Sequence, residues 1–227
     1  MENSNLNLFK GIKATIFDLD GTIIDSMWLW DKIDIDFLNK RNISFDPSLK
    51  KAIEPLSFND AAKFFKDHFK LSESTDEIKN EWLAMAHFEY KVNIKLKKGV
   101  RKFLEYLNKE NIKIALASSN THDLIHTSLK VNKIHDYFDA IITTDDVKKS
   151  KHYPDVFLES ATKLKVKPEE CIVFEDVLAA VKSAKKANMK VVGVYDKNSE
   201  DHKELIIEHA DSFITDFEDI INNEFEL

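Results

Sequence analysis

Residues 13–22 read KATIFDLDGT, and this stretch decides the fold. KATIF is short, apolar and rich in β-branched and aromatic side chains, as buried strands are. It runs straight into Asp18 and Asp20, then Gly21 and Thr22. Carboxylates spaced by two can leave a strand end on the same side. Gly21 permits a sharp turn directly after them. Similar apolar runs recur at 112–117 (IKIALA), 140–143 (AIIT), 171–174 (CIVF), 190–194 (KVVGV) and 212–215 (SFIT). Helical patterns lie between or after them at 100–108, 123–130, 154–163, 178–187 and 203–209. Alternation of strand and helix predicts an α/β fold, a Rossmann-like parallel sheet covered on both faces.

The interval after the first strand breaks this alternation. Residues 26–95 contain no convincing strand and read as helices at 28–40, 58–69 and 75–92. Ser57-x-x-Asp60 and Ser74-x-x-Glu77 mark two helix starts, the second a full capping box. The expected organisation is a core made of 1–25 and 96–227, with an all-helical cap domain, 26–95, inserted after the first strand. No internal repeat or low-complexity tract interrupts it.

Composition narrows the function classes. The 227 residues are 43% hydrophobic and 32% charged, with only 4 Gly and 4 Pro, an ordinary globular balance. The net charge of -7 disfavours nucleic acid and anionic membrane surfaces as partners. Cys171 is the only cysteine, so no intramolecular disulfide can form, which suits a cytoplasmic location. The first residues lack a basic start followed by a long apolar run, so a signal peptide is not expected. No apolar stretch approaches the ~20 residues of a membrane span.

Chemistry-bearing residues follow the strands. Asp18 and Asp20 follow the first, Ser118, Ser119 and Asn120 the second, and Glu175 and Asp176 the fourth, while Lys148, Lys149 and Lys151 lie beyond the third. In an open parallel sheet, ligands bind outside the carboxyl ends of the strands. These groups therefore converge although they are far apart in sequence. Clustered oxygen ligands suit Mg²⁺, which takes one or two carboxylates plus a substrate phosphate. A hydroxyl, backbone N–H groups near Ser119 and Asn120, and a lysine charge can hold an anion. The set describes phosphoryl transfer.

FDLDGT, the strand ending at Ser118, SKHYPD around Lys151 and VFED resemble, in order and spacing, the four motifs of the haloacid dehalogenase superfamily, in its β-phosphoglucomutase-like branch. The resemblance covers essentially the whole chain and implies the core-plus-cap architecture. It implies Asp18 as a nucleophile that becomes an aspartyl phosphate, and Asp20 as acid/base with its backbone carbonyl on the metal. It implies Ser118 and Lys151 as phosphate binders, Asp176 as a metal ligand and Glu175 as a neighbouring one. Val177 and Ala180 stand where the family often has Ser and Gly, and Asn188 replaces a common Gly. The places of a cap His and a cap Arg found in the hexose-phosphate mutases hold Trp30 and Phe58. Together with Thr22, this favours an Mg²⁺-dependent phosphatase for a small phosphorylated metabolite. The alternatives are a sugar-phosphate mutase and, remotely, a non-enzymatic phospho-receiver domain. Asp20 disfavours a true dehalogenase.

Other residues read more plainly. Trp28 and Trp30 open the first insert helix, where either can pack the insert or face substrate. His122 and His126 are spaced i, i+4, a transition-metal grip, but no third ligand is visible and a solvated helix face is expected. Lys148 and Lys149 read as surface, Cys171 as inert packing. A monomer is expected.

Overall fold

The computed structural model describes residues 8–53, 56 and 58–222. The chain divides into two units, one holding Met1–Met27 and Ile94–Leu227, the other Trp28–Asn93.

The first unit is built on six strands: β1 (Ala14–Phe17), β2 (Lys113–Ser118), β3 (Ala140–Thr143), β4 (Cys171–Glu175), β5 (Lys190–Val194) and β6 (Ser212–Ile214). All neighbours pair in parallel, in the order β3-β2-β1-β4-β5-β6. The chain leaves β1 toward β2 on one side, and β4 flanks β1 on the other. The order therefore reverses between β1 and β4, where such sheets open a crevice at their carboxyl ends.

Alternation along each strand feeds two cores. Ala14, Ile16, Ala115, Ala117, Cys171, Val173 and Val191 pack with Val156, Phe157, Ala161, Val181 and Ala184. Phe17 and Phe174, from adjacent strands, stack at 4.8 Å and meet Phe103 and Phe217. Both faces are thus sealed by apolar side chains. A continuous parallel sheet needs this, because neither face can be left to water.

The second unit is helical: α1 (Leu29–Asn39), the short α2 (Lys50–Ile53), α3 (Phe58–His68) and α4 (Thr75–Val92). Ser74 accepts from the Glu77 N–H while Glu77 reaches back to Ser74, completing the expected capping box. Ser57, the other expected helix start, lies outside the described residues. Phe37, Phe65 and Trp82 meet edge-to-face as this unit's own core. The Arg41 guanidinium lies 3.6 Å over Phe37 and binds Glu73 and Glu81.

The remaining helices belong to the sheet unit: α5 (Val100–Lys109), α6 (His122–Val131), α7 (Thr144–Val147), α8 (Asp155–Leu164), α9 (Leu178–Lys186), α10 (Lys203–His209) and α11 (Glu218–Asn222). Asn188 takes the left-handed conformation, φ 60°, expected where it replaces Gly after a helix end.

Candidate active site

The register of β1 and β4 places the first two acids. Phe17 pairs with Phe174, and the Asp18 N–H continues the ladder by donating to Phe174 O at 3.0 Å. Asp18 therefore emerges beside Glu175 and Asp176, all three buried. One carboxylate oxygen from each lies within 4.8 Å of the others. Lys151 donates to Asp18 Oδ1 and, at 2.6 Å, to Glu175 Oε1. The other Glu175 oxygen accepts from the Asp176 and Val177 N–H groups at 2.9 and 3.0 Å. Both Glu175 oxygens are thus engaged, which makes it the anchor of Lys151 and of the turn after β4.

Asp176 differs. Thr22 donates to its Oδ1 at 2.8 Å, but its Oδ2 is buried with no hydrogen-bond partner among the described residues. A buried carboxylate oxygen left bare costs several kcal/mol in an apolar setting. Gly21 faces that oxygen. Its φ is +83°, and a Cβ there would collide with Asp176 Oδ2. Gly21 is therefore required both for the turn and for the space in front of Asp176.

The electrostatics follow from crowding. Burial pushes the Asp18 carboxyl up to about 7; Lys151 opposes this, while Glu175 and Asp20 add to it. Burial, then Glu175 and Asp18, hold Asp176 well above the usual carboxylate range. Burial works to lower Lys151, but Asp18 and Glu175 outweigh it and hold the ammonium above its ordinary value. Ionised, the three carboxylates and one ammonium leave two negative charges in a buried site. A divalent cation with a preference for oxygen would cancel them and fill the bare Asp176 valence. The residues present fit Mg²⁺.

Asp20 is held apart from this cluster. Its carboxylate accepts from Ser26 at 2.7 Å and from the Asn120 amide at 3.0 Å. The carboxylate is therefore positioned by neighbours and lies outside the Asp18–Glu175–Asp176 group. Ser118, the last residue of β2, is buried, and its Oγ accepts from the Asn120 N–H at 3.0 Å. The Asn120 N–H, one of the groups expected to face an anion, is thus turned onto Ser118. Asn120 instead acts through its side chain, by orienting Asp20. Asp18, Asp20, Ser118, Ser119, Lys151 and Glu175 all line one cavity of about 310 Å³, which His152 and Ser150 also border.

Several contributors were not visible as site residues in the sequence. Ser26 and the Asn120 side chain, which fix Asp20, carry no signal beyond proximity to motifs. Thr22 stands within FDLDGT, yet its bond to Asp176 spans 154 positions. Cys171 is buried at the start of β4, and burial pushes its thiol up to about 12, which agrees with inert packing. Trp28 and Trp30 fall in the helical unit. There Trp30 is 40% exposed and meets Phe58 edge-to-face at 5.8 Å, and Phe58 meets Trp82 at 5.7 Å.

A parallel sheet with this strand order is of the Rossmann-like class, and it carries acids at the ends of β1 and β4 around a lysine. The family model for haloacid dehalogenase-like hydrolases matches residues 15–194, and the chain belongs to that family. It is 34% identical over 202 residues to β-phosphoglucomutase of Bacillus subtilis, covering 81% of this chain and 83% of that one. It is 30% identical over 197 residues to a Saccharomyces cerevisiae protein assigned as a pseudouridine-5'-phosphatase, covering 81% and 82%. In fold it matches a Thermotoga maritima crystal structure assigned to the β-phosphoglucomutases. That match has a TM-score of 0.83 at 24% identity and covers 94% of this chain and all of that one. The chain is thus an enzyme of the phosphatase and phosphoglucomutase-like group of its family.

Proposed function

We propose that the protein is an Mg²⁺-dependent phosphatase that hydrolyses a small phosphorylated metabolite through an aspartyl phosphate on Asp18. The observation that carries this reading is the closeness of the Asp18 and Asp176 carboxylates at neighbouring strand ends, with one buried Asp176 oxygen unpartnered among the described residues. Asp18 Oδ attacks phosphorus, and the bond from phosphorus to the ester oxygen breaks. Asp20, held by Ser26 and Asn120, gives its proton to the departing alkoxide. Asp20 then takes a proton from water, which attacks phosphorus and frees phosphate and the Asp18 carboxylate. Lys151 and Ser118 hold the phosphoryl oxygens. Asp18, Asp176 and the Asp20 backbone carbonyl would hold Mg²⁺, which supplies positive charge to the phosphoryl group and keeps Asp18 ionised. Glu175 orders the site through Lys151.

Trp28 and Trp30 are proposed to help select the ester, Trp30 because its exposed indole offers a stacking face to a substrate ring. The likeness to β-phosphoglucomutase supports a second reading, transfer of phosphate between two positions of a sugar. Among the described residues, no helix is long and apolar enough to cross a membrane. A cytoplasmic location is proposed from the single cysteine, and a monomer is proposed with it.

The test is phosphate release from p-nitrophenyl phosphate with Mg²⁺, followed by a panel of phosphorylated metabolites. Steady multiple turnover is expected. A single stoichiometric phosphorylation that then stops would mean a receiver domain, and faster isomerisation than release would mean a mutase.

A further inference from the structure

The i, i+4 histidines of α6 gain a partner that the sequence did not show. The chain leaves α6, turns, and enters the 3-10 turn His135–Tyr137. This places His135 Nε2 at 3.0 Å from His126 Nδ1. The other His135 nitrogen, Nδ1, stands 3.3 Å from the Asp136 carboxylate. The His122 ring lies nearly parallel to that of His126, 6.1 Å away, and its Nε2 meets Asp146 at 2.9 Å.

Two facts about this arrangement point to a cation. A carboxylate on one imidazole nitrogen is the usual device that fixes the tautomer of a metal-binding histidine and leaves its other nitrogen as a lone-pair donor. Asp136 stands in that relation to His135. Ring nitrogens bound to zinc at about 2.0–2.1 Å in a tetrahedral site lie roughly 3.3 Å apart. The His126 and His135 nitrogens, now joined by a hydrogen bond, are already near that separation, so an ion would displace the shared proton with little movement of the rings.

We propose that His126 and His135 form a site for a divalent transition metal, separate from the carboxylate site at the strand ends. Asp136 orients His135, and His122, one turn before His126, stands ready as an additional ligand if it releases Asp146. Imidazole nitrogens select Zn²⁺, Ni²⁺, Co²⁺ or Cu²⁺ over Mg²⁺. The two sites therefore differ in the metals they take. Burial and the neighbouring His135, His122 and Lys130 hold His126 below the usual imidazole range, so it is neutral and available at neutral pH. A bound ion would pin the 3-10 turn to α6, and Asn120, two positions before that helix begins at His122, holds Asp20.

The test is titration of the full-length protein with Co²⁺ or Ni²⁺ in a large excess of Mg²⁺, which keeps the oxygen site occupied. One equivalent is expected to bind. His126→Ala and His135→Ala should each weaken binding ~10-fold or more, and Asp136→Asn by ~10-fold. Turnover of p-nitrophenyl phosphate in Mg²⁺ should be unchanged in these variants, and Asp176→Asn should keep the Co²⁺ site. An independent readout on the unaltered chain is paramagnetic broadening by Ni²⁺, which should strike the His126 and His135 ring resonances first. Undiminished binding in both histidine variants, broadening centred on other residues, or no binding in Mg²⁺ would overturn the proposal.

Discussion

The carboxyl edge of the sheet and the helical unit Trp28–Asn93 handle charge in opposite ways. At the sheet edge, Asp18, Glu175 and Asp176 are buried around the half-buried Lys151, with Asp18 and Asp176 pushed upward and one Asp176 oxygen left bare among the described residues. In the helical unit most charged groups sit in partly exposed pairs, such as Arg41 with Glu73 and Glu81, around an aromatic centre. There are exceptions: Glu89 is buried against Lys32, and burial, aided by Asp31, pushes Asp34 up to about 7. Partly exposed pairs contribute little to stability, ~0–1 kcal/mol each. Buried, uncancelled charge is costly and persists where a function needs it. The difference supports the proposed division, in which chemistry belongs to the sheet edge and the helices help select the substrate.

The largest expected effects break the first half of that division. Asp18→Asn should lower turnover by ~10⁴-fold or more while leaving the fold intact, as loss of a nucleophile does. Asp20→Asn should cost ~10²–10⁴-fold, the range for a lost acid/base. Steady-state rates and circular dichroism of both variants check this; near wild-type rates would remove the assignment.

Gly21→Ala comes next. A methyl group there would collide with Asp176 Oδ2 and require a backbone with φ +83°, which alanine resists. The Mg²⁺ concentration for half-maximal activity should rise ~10-fold or more. An unchanged Mg²⁺ dependence would separate Asp176 from the metal.

A smaller effect is the pH dependence of stability. Asp18 keeps its proton up to about 7 in the folded chain against an ordinary value of 3.8, and Asp176 is raised in the same direction. The folded state then binds more protons than the unfolded one between these values. Without a divalent ion, stability is greatest below about pH 4 as far as these groups act, and falls as pH rises through about 7. Mg²⁺ should therefore raise the Tm more at about pH 8 than at about pH 5. The smallest effect belongs to the helices. Trp30→Ala should change the ranking of esters by roughly 1 kcal/mol, mostly in KM, and leave p-nitrophenyl phosphate turnover nearly unchanged.

The two regions also differed in how far they could be read from sequence. The strand runs KATIF, IKIALA and CIVF, each followed by polar groups, placed Asp18, Ser118 and Asp176 at one edge because a parallel sheet aligns its strand ends. Thr75–Val92 was legible from its capping box and periodicity. Contacts between side chains distant in sequence were not legible: Thr22 on Asp176, Asn120 on Asp20, His135 on His126. No local pattern encodes them, since they depend on how the connections between elements fold back. The Asn120 N–H was expected to face an anion and instead caps Ser118, a choice made by the turn geometry after β2.

Asp18 as the covalent nucleophile is tested most directly by borohydride reduction during turnover of a phosphate ester, followed by mass analysis of the peptides. An acyl phosphate on Asp18 is reduced to the alcohol, so homoserine should appear at position 18 and depend on substrate and Mg²⁺. Continued turnover with an unmodified Asp18, or reduction at a different carboxylate, would contradict it.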